Sequence, residues 1–124
     1  MPVLIVTTNL DKIAVPMNEA ILDLSKVTAK VSGKPEAYIS VVLNTNTFMS
    51  FGGTLEPSAL VEFSTVEKFS VDKNVINELS EAVCKNIGVS KDRFFIKFNI
   101  MNPNQIAYDG KTIADFIKDL QQQK

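Results

Sequence analysis

An internal repeat constrains this chain more than any other feature. In the first copy, Ile21, Leu24, Val27, Thr28 and Val31 recur at helical spacing before Gly33. In the second, Ile76, Leu79, Ala82, Val83, Asn86 and Ile87 do the same before Gly88. Ser25 matches Ser80 and Lys30 matches Lys85, an offset of about 55 residues. Each helix is expected to stop on its glycine, which takes the left-handed cap at least cost. A β-rich run precedes each helix, residues 3–8 and 59–64, and another follows, residues 38–43 and 94–98. The links after the helices correspond as well, Gly33-Lys34-Pro35-Glu36 against Gly88-Val89-Ser90-Lys91-Asp92. Each copy therefore reads β-α-β, two parallel strands joined by a crossover helix.

Two such copies predict one α+β domain over residues 1–124, a four-stranded mixed sheet with both helices on one face. Val41, Leu43, Leu60, Ile96 and Phe98 read as apolar on both sides of the strand alternation, the pattern of a sheet buried on both faces. Two helices cover only one face, so self-association is expected to cover the other. Between the copies, residues 44–57 are rich in Asn, Thr and Gly and read as a loop with room for a short strand. Residues 69–73 read as a second loop. After the repeat come a turn at 101–104, a short edge strand at 106–108, a turn at Asp109-Gly110 and a short helix over 112–120 that frays into Gln121–Lys124.

The 124 residues fit a single domain, and a formal net charge of −1 lacks the basic footprint of a nucleic-acid binder. No stretch is long and apolar enough for a membrane span, and the start lacks the layout of a secretory signal, so a cytoplasmic location is expected. Cys84 is the only cysteine, which excludes an intrachain disulfide, a CxxC centre and a cysteine-cluster metal site. There is no histidine, so the usual general base is missing. The sequence opens Met1-Pro2, and an initiator Met before a small residue is usually trimmed. Trimming leaves Pro2 with a secondary amine at the start of a strand. An α-amine has a reference pKa of roughly 7.7–8.0, and burial brings it into the working range of a base.

Several short matches, in order and spacing, resemble the macrophage migration inhibitory factor family within the tautomerase superfamily. They are Met1-Pro2 with Thr8-Asn9, Val15-Pro16, Gly33-Lys34-Pro35 followed by Tyr38-Ile39, Phe51-Gly52-Gly53 with Glu56-Pro57, and Asp92-Arg93. The resemblance covers nearly the whole chain. It implies a homotrimer whose three sheets enclose a barrel-like interior. It also implies keto–enol tautomerase activity on phenylpyruvate-like α-keto acids and dopachrome, with no cofactor and no metal. Some members act outside cells as cytokines and leave without a signal peptide, which implies secretion and a cell-surface receptor. The alternative reading is a cytokine-like binding protein with a weak or vestigial pocket.

Residue by residue, Pro2 matches the family's acid–base catalyst and Lys34 its active-site lysine. Lys34 would hold a substrate carboxylate and lower the Pro2 pKa. On its own spacing, Lys34 reads as a solvated lysine after a helix cap. Thr65 and Val66 match the segment whose backbone contacts substrate. Ile106, Tyr108 and Ile113 match the aromatic end of the pocket, with Val3, Tyr38 and Met101 as further wall positions. Phe95 and Lys97 fall where the family often has tyrosine and asparagine, in the wall a neighbouring subunit supplies. Ser58 and Val61 stand at the two ends of the family's CxxC, so a thiol–oxidoreductase function does not transfer. Cys84 is expected to be packed rather than reactive.

Overall fold

The computed structural model describes residues 1–66 and 68–122; the polar end at Gln123 and Lys124 lies outside the described residues. Strand β1 (Val3–Thr8) leads to helix α1 (Met17–Ser32) and strand β2 (Ser40–Asn44). Strand β3 (Ala59–Val66), helix α2 (Lys73–Ile87) and strand β4 (Phe94–Met101) repeat the pattern. The sheet order is β2-β1-β3-β4, parallel within each copy and antiparallel where β1 meets β3. A hairpin of β5 (Ala107–Tyr108) and β6 (Lys111–Thr112) and helix α3 (Ile113–Gln122) end the description.

The core lies between one sheet face and the two long helices. Leu4, Val6, Val61 and Phe63 from the inner strands meet Leu24 of α1 and Leu79, Val83 and Ile87 of α2, all fully buried. The helices run antiparallel across this layer. Asn86 Nδ2 donates to Asp23 Oδ2 at 2.7 Å, and Lys30 pairs with Glu78 at 3.0 Å. Asp72 caps α2 by accepting from the Val75 amide at 2.9 Å, whereas α1 starts at Pro16 with no side-chain cap. Both helices end as the repeat requires, on Gly33 at φ 69° and Gly88 at φ 86°.

Three expectations change. Strand β2 starts at Ser40 rather than Tyr38, because Pro35 enters in extended geometry and residues Glu36–Tyr38 close a single 3₁₀ turn. The matching turn, Lys91–Arg93, precedes β4, so the turn itself belongs to the repeat. Ile76 faces out, and its neighbour Val75 takes the buried place in the first turn of α2. The short strand at 106–108 pairs with Lys111–Thr112 rather than joining the four-stranded sheet, turning through Asp109 and Gly110 at positive φ.

The open face also differs from its reading. Leu4 pairs with Val41, Val6 with Leu43, Val61 with Ile96 and Phe63 with Phe98, so Val41, Leu43, Ile96 and Phe98 all share the helix-covered face. Of the five residues read as two-sided, only Leu60 lies on the open face. That face carries Ile5, Val42 and Phe95 beside polar pairs. Lys97 stands 4.0 Å from Glu62, Asn44 donates to Thr7, and Asn99 donates to Ser64. The loop between the copies holds one isolated bridge, Phe51 with Thr54, around Gly52-Gly53. The Arg93 guanidinium fastens it by donating to the carbonyls of Phe51, Glu56 and Pro57.

The two cap glycines differ in one testable way. A Cβ on Gly33 meets nothing within 4 Å, whereas one on Gly88 lies 3.2 Å from Ala14 Cβ. Residues 14 and 15 are held there because the Ala14 and Val15 amides donate hydrogen bonds to the carbonyls of Ile87 and Asn86, both 3.2 Å. Gly33→Ala should cost about 1–2 kcal/mol, the strain of left-handed backbone. Gly88→Ala should cost more, and chemical denaturation of both variants measures the difference.

Candidate active site

The topology brings four segments to the start of β1. In each β-α-β unit the crossover helix returns the chain to the end where the first strand began. Gly33 to Tyr38 therefore arrive beside residues 1–3, and the Ser40 amide donates to the Pro2 carbonyl at 3.2 Å. β3 runs antiparallel to β1, with Val3 opposite Ser64, so Thr65 and Val66 end at the same place. β4 runs parallel to β3 and delivers Met101 there, after which residues 102–113 fold back. Ile113 N bonds to the Ile106 carbonyl at 2.9 Å, and Ala114 N to the Pro103 carbonyl at 3.0 Å.

Three depressions surround this point. One of about 260 Å³ is lined by Met1, Lys34, Tyr38, Val66 and Ile113 together with Phe116, Ile117 and Leu120. A second, of about 270 Å³, lies on the other side of Tyr38 and is lined by Met1, Pro2, Val3, Ile106 and Tyr108. A third, of about 460 Å³, is lined by Lys34, Thr65, Val66, Lys68 and Phe69. Tyr38, Tyr108 and Phe116 meet edge to face at the junction, with ring centroids 5.3–5.8 Å apart. Each such pair adds about 0.5–1.5 kcal/mol beyond its area burial, which stiffens the wall.

Pro2 is buried and Lys34 is exposed, yet Lys34 borders two of the three depressions. The α-amine of this chain is that of Met1. Burial, and then the Lys34 ammonium, hold it below its ordinary value of 8.0. Both causes disfavour the charged form. A desolvated amine beside a cation and an aromatic wall suits an anionic ligand with an apolar body. The carboxylate would meet Lys34, and a ring would meet the tyrosines.

Pro2, Lys34, Thr65, Val66, Ile106, Tyr108 and Ile113 thus gather at one end of the sheet. Tyr38 and Val3 join them. Phe95 and Lys97 do not. Phe95 pairs with Leu60, which pairs with Thr7, five residues along β1 from Pro2 and roughly 16 Å away at 3.3 Å per residue. There it is 67% exposed and lies against Phe51, ring centroids 5.2 Å apart. Cys84 sits in α2 away from the site, and burial pushes its thiol up, the state of a packed and unreactive group. Phe116, Ile117 and Leu120 join the site although the family match does not reach them. The signal was present: with Ile113 they follow i, i+3, i+4, i+7 spacing, one face of a helix.

The fold and the pocket together define a class: a tandem β-α-β domain whose first strand starts in an aromatic-walled, lysine-flanked depression. Residues 1–114 match the macrophage migration inhibitory factor family, and the chain belongs to that family, within the tautomerase superfamily. The macrophage migration inhibitory factor of Rattus norvegicus is 32% identical over 117 residues, 92% of this chain and 100% of the relative. That of Xenopus tropicalis is 30% identical over 116 residues, with the same coverage. The solved structure of the Prochlorococcus marinus homologue superimposes with a TM-score of 0.76 at 26% identity, covering 90% of this chain and 98% of that one.

The amine's surroundings can be tested directly. Lys34→Ala should raise the α-amine pKa part of the way to its ordinary value, because burial, the larger cause, remains. The pH dependence of N-terminal acylation reads this, and an unchanged pKa removes Lys34 from the amine's surroundings. The lowered pKa also fixes a stability trend. Between the folded and the ordinary value, the unfolded chain holds a proton that the folded chain has released. This group's contribution to stability therefore rises with pH across that interval, which ends near pH 8.

Proposed function

We propose that this chain is a keto–enol tautomerase for phenylpyruvate-like α-keto acids, with Pro2 as the acid–base catalyst after loss of Met1. The observation that carries the reading is the lowered pKa of the α-amine, in the pocket that also holds Lys34. With Met1 attached, the Pro2 nitrogen is an amide and has no basicity. Removal of Met1 moves the free amine one residue along the strand start, to Pro2, still beside the α1–β2 link that carries Lys34. A neutral secondary amine there takes a proton from the carbon next to the ketone and returns it to the enol. Lys34 holds the substrate carboxylate, and backbone at Thr65 and Val66 lies across the cleft. Ile106, Tyr108 and Ile113 receive the ring.

The same proposal includes a homotrimer. The open sheet face and the exposed Phe48 and Leu55 offer surface to neighbouring copies. Phe95, remote from its own chain's pocket, and Lys97, in mid-sheet on the open face, would serve a neighbour's. Lys97 would bring a second cation and Phe95 an apolar wall without a hydroxyl. Action as a cytokine through a receptor, with release without a signal peptide, remains part of the family-based proposal. Among the described residues no helix is long and apolar enough to cross a membrane.

Intact mass should show Met1 absent, and the trimmed protein should interconvert keto and enol phenylpyruvate with a rate that falls at acid pH as the amine takes a proton. An alanine inserted before Pro2 turns its nitrogen into an amide and should abolish turnover, a loss of about 10²–10⁴-fold or more. Full activity in that variant would falsify the assignment of Pro2. A trimmed wild type without turnover would favour the binding-protein reading.

Sedimentation of the same sample tests assembly, and a stable monomer removes Phe95 and Lys97 from the site. If the trimer forms, Lys34→Ala should impair turnover more than Lys97→Ala.

A further inference from the structure

Helix α3 lies beyond what the family relationship accounts for. The family match ends at residue 114, and the Xenopus tropicalis and Rattus norvegicus relatives are covered end to end by 92% of this chain. Most of α3, Ile113–Gln122, follows that point. Its apolar stripe is not left open to solvent alone. Phe116, Ile117 and Leu120 line the 260 Å³ depression that holds Met1 and Lys34. Phe116 closes the aromatic triad with Tyr38 and Tyr108. Ile117 also borders the 460 Å³ depression with Lys34 and Lys68, so the helix stands between the two. The helix is held in place at both ends. Ile113 is buried, Asp115 N bonds to Thr112 Oγ1 at 3.1 Å, and Lys111 pairs with Asp119 at 2.7 Å.

We propose that α3 is a specificity wall: Phe116, Ile117 and Leu120 close the apolar end of the pocket between Lys34 and the chain start and restrict it to compact, single-ring anionic ligands. The cavity is smaller than the roughly 300–1,000 Å³ of pockets that take drug-sized molecules. A carboxylate held at Lys34 leaves a ring against Tyr38 and Ile113, which border the site already described, and a second ring meets Phe116 or Leu120. Leu120 is 41% exposed and Ile117 37%, so these side chains form the rim as well as the wall. Truncating either removes wall without opening the core.

The inference rests on the tautomerase reading for its substrates but not for its geometry, and the test separates the two. Three variants are compared with wild type: a chain ending at Ala114, Phe116→Ala and Leu120→Ala. The N-terminal amine is labelled with cyanate, which is small, and with phenyl isothiocyanate, which carries a ring, and the N-terminal peptide is read by mass spectrometry. The ratio of phenyl isothiocyanate to cyanate rates should rise about tenfold on truncation, the discrimination that a methylene or two of pocket wall supplies, and less in the point variants. Leu120→Ala replaces a half-exposed side chain, so it keeps the test valid if the shortened chain folds poorly. Labelling ratios equal in wild type and all folded variants overturn the wall. With phenylpyruvate and its 4-phenyl analogue as substrates, the variants should gain on the larger one by a similar factor. Turnover of neither keto acid by wild type overturns the tautomerase reading, while the labelling ratio still decides the wall.

Discussion

The site depends on the placement of β1 inside the sheet. A strand with β2 on one side and β3 on the other has both rows of backbone groups paired, so its ends cannot shift without breaking two ladders. Its first residues are pinned through the Pro2 carbonyl and the Ser40 amide. Everything else at the pocket follows from strand direction. A parallel partner brings the helix-to-strand link carrying Lys34 and Tyr38 to the start of β1. An antiparallel partner brings the end of β3, and β4, parallel to β3, delivers the hairpin and α3. The constellation is a consequence of topology before any side chain is chosen.

That explains how much the sequence disclosed. The repeat was legible because both copies carry the same helical stripe and the same terminating glycine, and from it the strand order nearly follows. Lys34 was legible only through the Gly33-Lys34-Pro35 match to the family, since its spacing alone reads as a solvated lysine after a helix cap. The composition of the open face was not, because it hangs on strand phase. Val41 and Leu60 look alike in a run of apolar residues, yet one packs on Leu24's side of the sheet and the other faces away. Tyr38 was misread as strand because Pro35 leaves an extended residue on either side of one tight turn. Phe116 and Leu120 belonged to a recognisable amphipathic helix. No local pattern says which surface such a helix will cover, since that is decided by the carbonyls of Ile106 and Pro103, which fix where it begins.

The same geometry sets a limit on what one chain can do. Phe95 starts the strand that ends at the pocket and stands at the opposite end of the sheet from its own Pro2, while Lys97 lies midway along the open face, in register with Glu62 and Ile5. No side-chain rotation carries Phe95 over that distance, so on the proposed reading its end of the sheet serves another copy's pocket. The open face fits this use better than simple burial would require. It alternates Leu60 and Phe95 with the Glu62–Lys97 pair and with the amide and hydroxyl groups of Asn44, Thr7, Ser64 and Asn99. A face meant only to be dry would have no need of them, since each polar group removed from water must find a partner.

The two ends of the described chain meet in one cavity, and this joins basicity to shape. The amine's pKa is lowered first by burial, and Met1 lines the same depression as Phe116, Ile117 and Leu120, more than a hundred residues away in sequence. Lys34, the second cause, acts on the same group from the α1–β2 link. On the proposed reading, a helix that moved off the pocket would widen ligand choice. In a chain without histidine the α-amine is the group nearest to neutrality, and the C-terminal helix lines the depression beside it without contributing a proton-carrying group.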